Sequence, residues 1–145
     1  MQNPEQWQVK QRQQERLALN WRDKPELLLN CPKPTLAYLN LKLQNQQWQM
    51  YLAMLDAWQQ TGRPAVFYLT PANWELLEQK YQINFPALQG DQAKLKLTAQ
   101  EKGVVFLDYT HLVDSSRFTD EIHLQPVGNR QVAENLAKEL SLIIH

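Results

Sequence analysis

Two short, unbroken apolar runs, at residues 65–69 and 104–107, constrain this chain more than any other feature. Runs of four or five residues carrying Val, Phe and Tyr without polar alternation suit strands covered on both faces. The sequence between them is helical in pattern. Trp74, Leu77 and Tyr81 come first, and Leu88, Leu95 and Ala99 follow at helical spacing until Gly103 closes the second helix. Buried strands joined through helices need a crossover, which favours a parallel, right-handed arrangement. The expected fold class is therefore α/β, a short parallel sheet flanked by helices, with ligand chemistry at the carboxyl ends of the strands.

The flanking elements fit that plan. In residues 46–60, Trp48, Tyr51, Leu52, Leu55 and Trp58 recur at three- and four-residue steps, which makes one helical face and reads as core. Gly62 stands where a C-cap belongs and Pro64 blocks continuation. Thr70 ends the first strand, and Pro71 suits the first position of the next helix. Pro126 opens a last helix whose Val132, Leu136, Leu140 and Ile143 or Ile144 form a stripe that covers the sheet. Upstream, residues 4–20 favour helix but carry few large apolar side chains. Three prolines break the stretch 23–34, and the runs 27–29 and 35–39 read equally as strand or packed loop. The chain thus divides into a helical arm with a Pro-rich connector, residues 1–34, and a layered unit, residues 35–145.

Composition narrows the function. At 145 residues with 43% apolar content and five tryptophans, one domain with one core is expected. Fifteen basic residues balance fifteen acidic ones, so no overall field attracts a polyanion and no nucleic-acid partner is expected. Lys10, Arg12 and Arg16 interleave with Glu5 and Glu15 as a solvated helix face. No apolar run approaches the roughly 20 residues that span a bilayer, so this chain carries no membrane segment by this reading. Cys31, flanked by Asn30 and Pro32, has no partner for a disulfide and reads as a small buried hydrophobe. Three dispersed histidines make no metal site, four dispersed glycines make no phosphate loop, and no cofactor is expected.

The residues that carry chemistry are Asp120 and His123, three apart between the last strand and the last helix. A carboxylate on one ring nitrogen fixes the tautomer and stabilises the imidazolium, leaving the other nitrogen to take a proton from a hydroxyl nucleophile. Asp108 and His111 share the spacing, but they belong to the strand end and read as a decoy.

The segment Thr119-Asp120-Glu121-Ile122-His123-Leu124-Gln125-Pro126-Val127-Gly128, followed by an amphipathic helix, resembles the final block of SGNH (GDSL-type) hydrolases. Upstream, the helix with Trp48, Tyr51, Leu52, Leu55 and Asp56, the strand Val66-Phe67-Tyr68-Leu69 and the turn Thr70-Pro71-Ala72-Asn73-Trp74 are similar to the corresponding stretch of DltD, the SGNH-like family of teichoic-acid D-alanylation. The likeness covers residues 44–140 and implies part of a three-layer, flavodoxin-like SGNH domain. It makes His123 the general base and Asp120 its orienting partner. It also places Asn73 and Trp74 as substrate-binding residues.

The departures decide what such a chain does alone. The family's serine sits in a Gly-Asp-Ser block after the first strand, and this sequence has none. Ser115 and Ser116 lie in a polar turn without a strand-to-helix elbow, and Ser141 lies in the last helix. Asn30 and Asn40 lack the glycine context of an oxyanion asparagine. The expectation is the carboxyl-terminal portion of a serine esterase or O-acyltransferase, inactive by itself. Its partner would be the missing amino-terminal half, or a second copy in a homo-oligomer, since a sheet lacking strands exposes an edge. The rival expectation is a non-catalytic binding or scaffold module that keeps the fold. Compartment stays open, with an extracytoplasmic place implied only if the chain belongs to a longer exported or anchored protein.

Overall fold

A computed structural model describes residues 19–27 and 45–143. Helix α1 spans Gln46–Thr61, and Asn45 caps it by accepting the Trp48 amide at 3.0 Å. The helix ends on Gly62, whose φ of 64° lies in the left-handed region that an L side chain enters only with strain. Strand β1 follows at Val66–Leu69. Helix α2 covers Trp74–Lys80, with Asn73 as N-cap. The helix therefore starts three residues after Pro71 and not at it. The Asn73 side chain accepts the Leu76 amide at 3.2 Å and so sets the start, while Pro71 is buried in the turn that leads there.

Helix α3 spans Phe85–Glu101, capped by Asn84 with Pro86 in its first turn, and strand β2 spans Val105–Asp108. Helix α4 runs from Pro126 to Ile143, with the proline at its first position as expected. The two strands pair in parallel, Val66 opposite Val105 through Leu69 opposite Asp108. Among the described residues the molecule is thus mixed α/β, with helices around a two-stranded parallel sheet.

One face of the sheet holds the larger core. Trp48 and Leu55 of α1, Leu95 and Ala99 of α3, and Ala65, Val104 and Phe106 pack together, with Tyr51, Leu52, Phe67 and Leu69 against them. Tyr51 fixes the depth of α3 by donating its hydroxyl to the Leu95 carbonyl at 2.9 Å. Trp58, expected in the same stripe, sits at the rim and is 37% exposed. Its indole donates to the Arg63 carbonyl at 3.0 Å, an interaction the rim allows and the core would not require.

Helix α4 lies along the other face, where Leu140 and Ile143 share a cleft with Val66, and Val132 shares one with Tyr68. Its stripe of Val132, Leu136, Leu140 and Ile143 is only half-buried, and Tyr68 is 40% exposed. Cover on both faces, expected for β1, is thus incomplete among the described residues. Beside Tyr68, the buried Tyr109 hydroxyl has no hydrogen-bond partner among those residues. Burial, with smaller help from the charge of Glu139 and from Tyr68, pushes its pKa up.

A second cluster joins Trp21, Leu76, Val113 and Phe118, with Leu27, Leu124 and Val132 against it. Residues 19–27, placed in the amino-terminal arm by sequence, pack here as part of the same body. Trp21 donates its backbone N–H to Phe118 O at 3.2 Å and its indole N–H to Ser115 O at 2.9 Å. Of the helix expected at residues 4–20, residues 4–18 lie outside the described residues, while Leu19 and Asn20 are not helical because the Asn20 side chain caps a 3-10 turn at Trp21–Asp23. Of the run 27–29, Leu27 ends a second 3-10 turn at Pro25–Leu27, and the remainder, with the run 35–39, Cys31 and the division after residue 34, lies outside the described residues. No helix among those described is long and apolar enough to cross a membrane.

The fully buried Leu55 and the rim residue Trp58 separate core from periphery on one helix. Leu55→Ala should cost about 2–5 kcal/mol in urea unfolding. Trp58→Ala should cost clearly less, and equal losses would contradict this assignment of the core.

Candidate active site

The site lies in the loop between β2 and α4. Its frame is a narrow reverse turn in which Phe118 and Leu124 form an antiparallel bridge. Thr119 donates its N–H and its hydroxyl to the His123 carbonyl at 2.8 and 3.2 Å, and Gln125 N–H donates to Arg117 O at 2.8 Å. Asp120 opens the tip. Its Oδ1 accepts the amides of Ile122 at 3.0 Å and His123 at 2.8 Å, the hydrogen-bond pattern of an Asx turn.

That turn also presents the His123 ring to the same carboxylate. Nδ1 lies 2.8 Å from Oδ2 and 3.0 Å from Oδ1 of Asp120. The other ring nitrogen, Nε2, has no hydrogen-bond partner among the described residues. The carboxylate is the more sheltered member, its side chain 25% exposed against 64% for His123. Burial alone would raise the Asp120 pKa. The two amides and the imidazole contact outweigh it and hold the carboxyl below its ordinary value.

Neighbouring elements pin the loop from outside. Asn73 is fully buried, and every polar group of its side chain is spent on structure. Its Oδ1 caps α2, its Nδ2 donates to Asp120 O at 3.1 Å, and its backbone N–H donates to Glu121 O at 2.9 Å. Lys80 pairs with Glu121, and the buried Lys24 donates its Nζ to Thr119 O at 2.8 Å. Gly128 lets α4 approach from below. A Cβ there would stand 3.0 Å from Leu124 Cδ2 and 3.2 Å from Arg117 O.

Of the four site residues read from sequence, the structure joins Asp120 and His123 directly and ties Asn73 to them through the loop backbone. Trp74 points elsewhere: its indole donates to Thr110 O at 2.9 Å and its ring stacks on His111 at 5.2 Å. Asp108 turns to Thr110, accepting its N–H at 3.0 Å and its hydroxyl at 2.6 Å, and makes no bond to His111. Lys24 and Gly128 are contributors that sequence did not single out for positioning. Lys24 had no local signal at all, and Gly128 showed only as part of the Pro-Val-Gly helix start.

His123 opens onto a cavity of about 380 Å³ that it lines with Tyr68, Thr70, Ile122, Leu124 and Val132. Among the described residues, no Asp, Glu, Lys or Arg lines this cavity. None of the three serines reaches it. Ser115 donates its hydroxyl to Glu75 and accepts from Arg22 at 3.1 Å, Ser116 donates to Asp114 at 2.5 Å, and Ser141 donates to Lys138 O at 2.7 Å. No group of three or more His, Cys, Asp or Glu among the described residues is placed to hold a metal ion.

Variants at two positions test this construction. Because the Asp120 carboxyl is depressed in the folded state, its contribution to stability is full above the unfolded value of about 3.9 and is lost as pH falls through the lower folded value. The melting temperature of the chain should therefore drop more steeply below about pH 4 than that of Asp120→Asn. Parallel curves would contradict it. Asn73→Ser keeps a cap oxygen and loses the donor to Asp120 O, so it should cost about 1–3 kcal/mol, and Asn73→Ala about 1 kcal/mol more, in chemical denaturation.

Comparison with protein-family models, with curated proteins and with solved structures finds no significant match for this chain.

Proposed function

We propose that this chain is the carboxyl-terminal portion of an SGNH-like serine esterase or O-acyltransferase, supplying the Asp120–His123 dyad to a nucleophile that it does not itself contain. One observation carries the reading. A carboxylate sits against His123 Nδ1 while Nε2 has no partner among the described residues, beside a cavity at the carboxyl end of a parallel strand. The resemblance of residues 119–128 to the SGNH final block supports it from the sequence side.

In this reading Asp120 accepts a hydrogen bond from Nδ1–H and so leaves the Nε2 lone pair available. As a serine hydroxyl from another segment attacks an acyl carbonyl, Nε2 takes its proton and the oxygen–carbon bond forms. Collapse of the tetrahedral adduct breaks the ester bond, and His123 returns the proton to the leaving alkoxide. A second hydroxyl compound, or water, then reverses the sequence and frees the serine. Asp120 stays ionised throughout, which its depressed pKa favours.

The commitment of all three serines to other partners favours a second reading, a binding or scaffold module that keeps the fold without turnover. The two separate by measurement. In the dyad reading, ¹⁵N shifts of neutral His123 should report the Nδ1–H tautomer, and Asp120→Asn should lose it. A wild-type ring in the Nε2–H form would sink the dyad. By itself the chain should hydrolyse p-nitrophenyl acetate no faster than His123→Ala. Saturable, His123-dependent turnover with a trappable acyl-enzyme would show that the nucleophile is present after all.

A further inference from the structure

The segment that carries Trp21 grips the approach to Asp120 along its whole length. From Ser115 to Thr119 the backbone carbonyls face two ways. Arg117 O accepts from Gln125 within the loop, and the other four accept from residues 20–24. Asn20 Nδ2 serves Ser116 O, the Trp21 indole and backbone N–H serve Ser115 O and Phe118 O, and Lys24 Nζ serves Thr119 O. Residues 20–24 are thus a strap laid along the backbone that leads to the carboxylate.

Lys24 is the unusual member of the strap. It is 8% exposed, and a lysine is seldom buried because taking its charge out of water is costly. Its backbone is set on both sides. The Lys24 N–H donates to Trp21 O at 3.0 Å and its carbonyl accepts from Leu27 N–H at 3.0 Å, so it forms the joint between two 3-10 turns.

What its side chain reaches is the peptide plane just before Asp120. A residue's φ and ψ are the rotations of its two flanking peptide planes about its Cα, so holding both planes fixes the direction of Cβ. Lys24 holds the first plane through Thr119 O at 2.8 Å, and Asn73 Nδ2 holds the second through Asp120 O at 3.1 Å. From that fixed Cβ the carboxylate meets the Ile122 and His123 amides and the His123 ring together. Thr119 also turns its N–H and hydroxyl to His123 O, so the residue that Lys24 holds is tied to both members of the pair.

We propose that Lys24 is a positioning residue for the Asp120 carboxylate: through Thr119 O it fixes the peptide plane ahead of Asp120, so that the docked strap sets the carboxylate against His123. That this placement serves catalysis rests on the dyad reading; that Lys24 makes it does not.

Amide protons bonded to a carboxylate shift as it titrates, so NMR of the full chain through the acid range reads the Asp120 bonds at Ile122 and His123. In Lys24→Met the amplitude of that movement should fall by roughly half or more, since the unpaired buried carbonyl lets its peptide plane turn. Arg22→Ala, which removes the strap's exposed contacts to Glu75 and Ser115, should leave it intact. Loss of the lysine charge by itself moves only the midpoint. A full amplitude in Lys24→Met, whatever its midpoint, would therefore reduce Lys24 to a stabilising contact and overturn the proposal. Equal losses in both variants would trace the effect to general loosening and overturn it too. Should Lys24→Met not fold, amide hydrogen exchange of the wild type decides. The Trp21 and Thr119 amides should open together, with one dependence on denaturant. A Thr119 amide that opens separately from Trp21 would refute the coupling. A ring found in the Nε2–H form would end the dyad reading and leave these amide readouts as they are, so either idea can fail alone.

Discussion

Parallel pairing of β1 with β2 is the constraint from which the rest of the arrangement follows. Parallel strands start and finish together, so Leu69 and Asp108 end side by side and both outgoing segments emerge at one end of the sheet. There they bond to each other. Ala72 N–H donates to Thr110 O at 3.2 Å, and Asn73 N–H donates to Glu121 O at 2.9 Å. An antiparallel pair would have sent these segments to opposite ends, and the turn carrying Asn73 would never meet the loop carrying Asp120.

The geometry of the dyad is over-determined by that meeting. Asp120 is held by its own Asx turn, its carbonyl by the Asn73 amide, and its neighbours Thr119 and Glu121 by Lys24 and Lys80. Each hydrogen bond is worth only about 1 kcal/mol net, yet leaving any buried partner unmet costs about 1–3 kcal/mol. The loop therefore has few alternatives, and a short polar turn can hold a carboxylate and a ring in fixed relation. Dense satisfaction of this kind is how a loop comes to hold two side chains in one geometry.

The same accounting explains why the nearby serines do not serve this site. Glu75 accepts the Ser115 hydroxyl, and that bond, against the upward push of burial and with the help of Arg22, keeps the Glu75 carboxyl below its ordinary value. Ser115 thus has a carboxylate for its proton, while Arg22 at 2.5 Å ties residues 19–27 to α2 through the same carboxylate. At 45% and 43% exposure this pair contributes at most about 1 kcal/mol, so it orients the segment more than it stabilises it. The burial of Trp21 holds that segment down.

By itself the sequence determined the local pieces. Continuous apolar runs marked both strands, helical spacing marked α1, α3 and α4, and Gly62 and Pro126 marked two of their ends, because these signals depend on a residue and its near neighbours. Asp120 and His123 were legible for the same reason, since three residues of separation suffice for an Asx turn to present one to the other. Tertiary structure decided the remainder. The buried Asn73 became a brace for the Asp120 loop, Lys24 was drawn from nearly a hundred residues away to Thr119 O, and Gly128 proved to be a close approach where a methyl would crowd Leu124 and Arg117 O. It also decided that β1 keeps one edge free among the described residues. Such facts depend on which segments the fold brings together, and no local pattern encodes the direction from which a distant neighbour arrives.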